Sequence, residues 1–250
     1  MFNLASIEGT LLITGLLIIV AVLLSKMSSR LGIPALLFFL ALGMVSGSEG
    51  IGGIYFDDPL VAQFLGSVAL AYILYSGGLD TKWSDVKSVV RPALTLSTLG
   101  VLLTAGLLGF FVHFVLKIPL LESLLLGSIV SSTDAAAVFS ILRNREVHLR
   151  GKIEPLLEFE SGSNDPMAVL LTIGLTGLIT NSDQTLVELI PFFLIQMSLG
   201  GLLGYLFGRL FVRIINRLNL KIEGLYTVFS IAIVILIYGI TSTIGGNGFL

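Results

Sequence analysis

The chain contains no cysteine, which excludes disulfides and thiolate metal sites. Charge is scarce as well. Only 12% of the 250 residues are Asp, Glu, Lys or Arg, about half the share usual in a soluble domain. The two histidines, His113 and His148, lie far from any His/Asp/Glu cluster with metal-ligand spacing. The first residues, "MFNLASIEGTLL", carry no basic stretch ahead of the apolar run. A cleaved signal peptide is therefore not expected, and the first segment reads as a retained span. No bound organic cofactor and no nucleic-acid partner are implied.

Apolar residues dominate instead. They make up 55% of the chain, with a mean hydropathy of +1.00. The fold class expected is all-α: a polytopic helix bundle whose partner is the lipid bilayer. A helix needs about 20 apolar residues to cross the hydrocarbon core. By that measure there are eight spans, near 9–25, 31–48, 60–80, 92–116, 120–142, 155–180, 186–208 and 223–244. The last residues, "GGNGFL", read as the approach to a further span, so the chain is expected to be the N-terminal part of a larger membrane protein.

Basic residues set the orientation. With the N-terminus outside, the inner segments hold Lys26, Arg30, Lys82, Lys87, Arg91, Arg143, Arg145, Arg150, Lys152, Arg209, Arg213, Arg217 and Lys221. That is 13 of the 14 Lys and Arg residues, with Lys117 alone outside. The positive-inside rule thus supports both the span count and an outside N-terminus. Arg209, Arg213 and Arg217 share one helical face and read as a helix end snorkelling into headgroups, since Asn216, Asn219 and Lys221 follow at once. Within the spans, Gly200, Gly204 and Gly208 form a small-residue stripe suited to close helix packing.

Two aspartates interrupt the apolar runs. A charge at the bilayer centre costs at least about 2.5–3.5 kcal/mol on insertion scales, so each needs a reason. Asp134 ends the polar series Ser131, Ser132, Thr133, Asp134 inside the fifth span. These side chains compete with the helical ladder for backbone groups. Either the helix breaks here, lining a cavity with freed backbone, or it stays straight with its hydroxyls bonded back one turn. Asp165 lies between Asn164 and Pro166 in the sixth span. Ser163 or Asn164 as a helix N-cap would leave Asp165 at the membrane surface. A span that starts near Pro155 puts it roughly 15 Å deep. The apolar Leu156, Leu157 and Phe159 favour the earlier start. At that depth hydroxyls, amides and carbonyls around a carboxylate can hold a dehydrated alkali cation. A proton then competes with the cation for the same group, and that competition is the simplest chemistry for exchange.

"SSTDAAAVFSILR" (131–143), "LEFESGSNDPMAVLLT" (157–172) and "YSGGLDTKW" (75–83) resemble the monovalent cation/proton antiporters, specifically the bacterial K⁺ or Na⁺/H⁺ antiporters linked to cell-volume regulation. The resemblance runs over essentially the whole chain. It implies about thirteen helices in inverted repeats, of which this chain would supply the first repeat and the start of the second. It implies scaffold or dimerisation helices in 1–80, ion-carrying core helices in 92–180, and a linker helix with the start of the second repeat in 186–244. Asp165 would bind the alkali cation or the proton, with Asn164 as its partner. Thr133 and Asp134 would mark an unwound crossing, and Glu160 and Ser161 would line or support the site. The Asn-Asp pair implies electroneutral exchange. A multi-pass inner-membrane homodimer is expected, a transporter and not an enzyme. One departure is Ser76, where relatives commonly carry an acidic residue before the double glycine.

Two other functions use intramembrane carboxylates. An aspartyl protease needs two of them sharing a proton, but the Tyr-Asp and Gly-x-Gly-Asp motifs expected of it are absent here. A cation channel favours repeated pore loops or carbonyl rings, and no such loop is evident. His148 lies in the basic loop "RNREVHLRGK" and reads as solvated, while His113 falls at the outer interface with no role assigned.

Overall fold

A computed structural model describes residues 6–31, 33–144, 149–181, 183, 185–222 and 224–250. The helices are α1 (Ile7–Leu31), α2 (Ala35–Ser46), α3 (Pro59–Asp80), α4 (Trp83–Val86), α5 (Val90–Thr95), α6 (Val101–Leu116), α7 (Leu120–Val130), α8 (Ala135–Asn144), α9 (Ile153–Thr180), α10 (Leu189–Arg217) and α11 (Gly224–Thr243). Among the described residues there is no β-strand beyond an isolated bridge between Gly47 and Ile54. The described chain forms two compact units, 1–63 with 134–150, and 64–133 with 151–250.

Each of the eight apolar segments holds helix, and the edges differ for local reasons. The second begins only at Ala35: Pro34 sits at the N-cap with ψ 133°, and a proline disfavours helical backbone in the residue before it. The fourth runs unbroken from Val90 to Leu116. A π-helical turn at Leu96–Gly100 joins α5 to α6. The seventh extends to Arg217, so Arg209, Arg213 and Arg217 all lie on α10. Its 29 residues reach about 43 Å, well past a hydrocarbon core of about 30 Å. The Arg209 guanidinium rests 4.8 Å from the centre of the Tyr205 ring.

Among the described residues, five helical stretches have both the length and the apolarity to cross a membrane: Ile7–Ser28, Pro59–Leu79, Val90–Leu116, Leu189–Arg217 and Gly224–Thr243. The others fall short for identifiable reasons. α2 and α7 have only 12 and 11 residues. α9 is long enough at 28 residues, but its apolar run is interrupted by Glu160, Ser161, Ser163, Asn164 and Asp165.

In the first unit α1 packs along α2, and the Ser28 hydroxyl ties the connection by donating to the Ile33 carbonyl at 2.6 Å. In the second unit α6 and α7 form the closest helix pair. A Cβ on Gly127 would lie 2.2 Å from the Ala105 carbonyl oxygen, and one on Gly109 would lie 2.8 Å from Leu124 Cα. Only glycine allows that approach. The hairpin between them turns at Lys117, in the left-handed region with φ 57°. His113 Nδ1 meets the Ile118 carbonyl there at 2.7 Å. α7, α5 and the π-helical turn all pack on α9. The small core at this junction is Val101, Met167 and Ala168, with Leu171 and Phe193 against it. Large apolar side chains such as Leu107, Phe114, Leu202 and Val228 point outward, as expected of surfaces facing lipid.

Gly200 and Gly204 take up the segment after α11. Their Cβ atoms would come within 2.5 Å of the Asn247 carbonyl and 3.1 Å of the Leu250 carbonyl, whereas Gly208 has open space. The stripe therefore serves packing within the chain at its first two positions.

Candidate functional site

The polar series in the fifth span breaks the helix. α7 ends at Val130, residues 131–134 are non-helical, and α8 begins at Ala135. The hydroxyls that compete for backbone are visible in place. Ser128 Oγ donates to Leu124 O at 2.9 Å, and Ser131 Oγ donates to Ser128 O at 2.7 Å. Asp134 Oδ1 accepts the Ala137 N–H at 3.3 Å, which makes Asp134 the N-cap of α8.

The sixth span is helical from Ile153 and continues through Pro166. Asp165 is thus twelve residues beyond Ile153, about 18 Å along the helix. Ser163 and Asn164 are not caps. Ser163 Oγ instead donates to Phe159 O of the same helix at 2.7 Å. Pro166 has no N–H, so the helix loses the bond that would close on the Gly162 carbonyl.

Asn164 is fully buried at 0% exposure, and its side-chain amide joins the break to α9. Its Nδ2 donates to Thr133 Oγ1 at 2.6 Å and to Glu160 Oε1 at 3.0 Å. Its Oδ1 faces the Ser132 hydroxyl at 3.0 Å. The same Ser132 hydroxyl donates to Asp165 Oδ1. Thr133 Oγ1 donates to Glu160 Oε2 at 3.1 Å, and Ser161 Oγ donates to the Thr133 carbonyl at 2.7 Å. A buried amide whose two N–H groups and oxygen are all engaged has little freedom to reorient. Thr133, Glu160, Ser161, Asn164 and Asp165 thus come together, all in the second unit. Asp134 belongs to the first unit and serves the start of α8.

Two residues at this place escaped the site expected from sequence. Ser132 was legible only as one hydroxyl in a polar series, yet it reaches both Asn164 and Asp165. Asn247 stands far away in sequence, and its Nδ2 donates to the Pro166 carbonyl at 3.2 Å. Its one signal is an amide among glycines in "GGNGFL". A cavity of about 170 Å³ beside it is lined by Gln196, Tyr238, Ser242 and Phe249. Among the described residues no group of three or more His, Cys, Asp or Glu is arranged to hold a metal ion. His148 and Arg145 lie outside the described residues.

The family model described as "Sodium/hydrogen exchanger, transmembrane" matches residues 15–250. The chain belongs to this family. It is 41% identical over 245 residues to the K(+)/H(+) antiporter NhaP of Alkalimonas amylolytica. It is 43% identical over 247 residues to the K(+)/H(+) antiporter NhaP2 of Shewanella sp. (strain ANA-3). In both cases 98% of this chain aligns, and it spans 42% of the relative's length. The structure of the sodium proton antiporter MjNhaP1 from Methanocaldococcus jannaschii at pH 8 superposes with a TM-score of 0.76 at 23% identity, over 94% of this chain and 59% of that one. The fold is therefore part of an exchanger fold. The relatives carry the names of transporters, not enzymes, and lend no support to a protease or channel function.

Proposed function

We propose that the whole protein is a secondary antiporter that exchanges K⁺ or Na⁺ for H⁺, with Asp165 as the group that takes either ion in turn. The observation that carries this reading is the buried Asn164 amide. It ties the broken fifth span to α9 and leaves the Asp165 carboxylate beside the Ser132 hydroxyl. The Ser132 hydroxyl reaches that carboxylate, and Thr133 and Ser161 add hydroxyl and carbonyl oxygens to the same hydrogen-bonded network, the kind of groups that replace an alkali ion's hydration shell. Asn164 and Glu160 order the site, Thr133 and Ser161 hold its backbone, and Asp134 maintains the break by capping α8. Protonation of Asp165 releases the cation, and cation binding displaces the proton. One carboxylate handling both ions gives one cation per proton.

The names of the 41% and 43% identical relatives make K⁺ the first cation to test. The wider assignment follows the same reading. Residues 1–80 supply scaffold helices and a homodimer contact, 92–180 the ion-carrying core, and 186–244 a linker helix and the start of the second repeat. The protein sits in the cell inner membrane with its N-terminus outside, where it serves cation and pH or volume homeostasis. Proton movement in everted vesicles of the full-length protein tests the function. Added K⁺ or Na⁺ should collapse an imposed pH gradient. No response to either cation at any pH would sink the antiport reading.

A further inference from the structure

We propose that Asn247 is a positioning residue for Asp165. What Asp165 does rests on the exchange reading above, while how it is held rests on separate geometry. Pro166 follows Asp165 directly and leaves α9 without one of its own hydrogen bonds a turn earlier. A helix loosened beside a carboxylate that must load and unload an ion needs restraint from outside. Asn247 supplies it one residue past Asp165, where its Nδ2 donates to the Pro166 carbonyl at 3.2 Å in a buried setting.

Asn247 is itself held on every side. Its N–H donates to the Gln196 carbonyl of α10 at 2.9 Å. Its Oδ1 accepts the Phe249 N–H at 3.0 Å. Its own carbonyl lies where a Cβ on Gly200 would be only 2.5 Å away. The turn that delivers it is made of glycines for the same reason. Gly245 has φ +86°, and a Cβ on Gly246 would crowd Leu199 and Thr241 at 3.0 Å. A Cβ on Gly248 would lie 2.6 Å from Ser242 Oγ. The end of α11, the middle of α10 and the weakened part of α9 thus meet at one buried amide. A shift of α10 and α11 against α9 pulls on the backbone beside Asp165 through that hydrogen bond, next to the apolar contact of Phe193 with the core of Val101, Met167 and Ala168.

The test uses the full-length protein with Asn247→Asp and Asn247→Ala. The first keeps the shape and the acceptor for Phe249 and can donate to the Pro166 carbonyl only when its carboxyl is protonated, and the second lacks donor and acceptor alike. Exchange rate is measured against cation concentration in everted vesicles at matched protein amount. Amide hydrogen exchange is followed across 161–170. In both variants the half-saturating cation concentration should rise about threefold to tenfold, the effect of one buried hydrogen bond, with little change in maximal rate. A merely structural role would lower the amount of folded protein and leave half-saturation alone. Wild-type half-saturation in Asn247→Ala overturns the proposal. If the wild type itself moves no protons with either cation, the exchange reading has failed, and hydrogen exchange then decides the matter alone. Faster exchange across 161–170 in Asn247→Ala supports the positioning role, and unchanged exchange overturns it. Asn247→Ser, small and neutral, replaces either variant that does not accumulate.

Discussion

Replacing Asn164 by Ala in the full-length protein removes three hydrogen bonds at once from a fully buried place. Two are neutral, to Thr133 Oγ1 at 2.6 Å and from Ser132 Oγ at 3.0 Å, the latter sharing the single Ser132 proton with Asp165, and one goes to the Glu160 carboxylate at 3.0 Å. At about 1 kcal/mol for each neutral bond and about 1.5–3 kcal/mol for the charged one, the loss is about 3.5–5 kcal/mol. Contacts between membrane helices average nearer 0.6 kcal/mol, which sets a floor of about 2 kcal/mol. Even the floor is a large fraction of a typical folding stability. Thermal unfolding of the full-length protein in detergent should therefore show a fall of about 2–4 °C. The half-saturating cation concentration should rise about tenfold or more, because the same amide orders the residues beside Asp165. Ser163→Ala is the matched control. Its hydroxyl bonds only back to Phe159 O in its own helix at 2.7 Å, so its effect should stay within about 0.5 kcal/mol. If Asn164→Ala melts and saturates like the wild type, the amide does not organise this site and the reasoning fails.

Other expectations follow from the same structure. Gly127→Ala would place a Cβ 2.2 Å from the Ala105 carbonyl and should cost at least about 1–3 kcal/mol by overpacking. Gly106→Ala, with open space around its Cβ, should be nearly silent in the same melting assay. Thr133→Ala cuts the links to both Glu160 and Asn164 and should weaken apparent cation affinity more than expression. Wild-type transport kinetics would remove Thr133 from the site. Cysteines placed singly at Asp57 and Lys152 should react with impermeant thiol reagents from opposite faces of the membrane. Labelling from one face would reverse the assigned topology.

The spans were legible because hydrophobicity is a local property summed along the chain, and each apolar run became helix. The break at 131–134 was legible in kind. Four consecutive side chains able to bond backbone groups left a choice between broken and straight helix, and packing decided it. The early start of α9 was also legible, since Leu156, Leu157 and Phe159 continue its apolar pattern toward the N-terminus. Pairing between distant polar groups was not. Nothing near Asn164 announces that its N–H groups point at Thr133, and nothing near Asn247 announces the Pro166 carbonyl, 81 residues away. The uses of the glycines were equally hidden. Gly106, Gly127, Gly200 and Gly208 look alike in sequence, yet only Gly127 and Gly200 of these four sit against backbone carbonyls. The π-helical turn at Leu96–Gly100 has no local signature in that apolar run either.

The central claim is that one carboxylate, Asp165, takes a cation and a proton in turn. The direct measurement is proton release when K⁺ or Na⁺ is added to the purified full-length protein in weakly buffered detergent solution. The wild type should release about one proton per bound cation, and Asp165→Asn, folded to the same extent, should release none. Equal proton release from Asp165→Asn would place the exchange chemistry on another group.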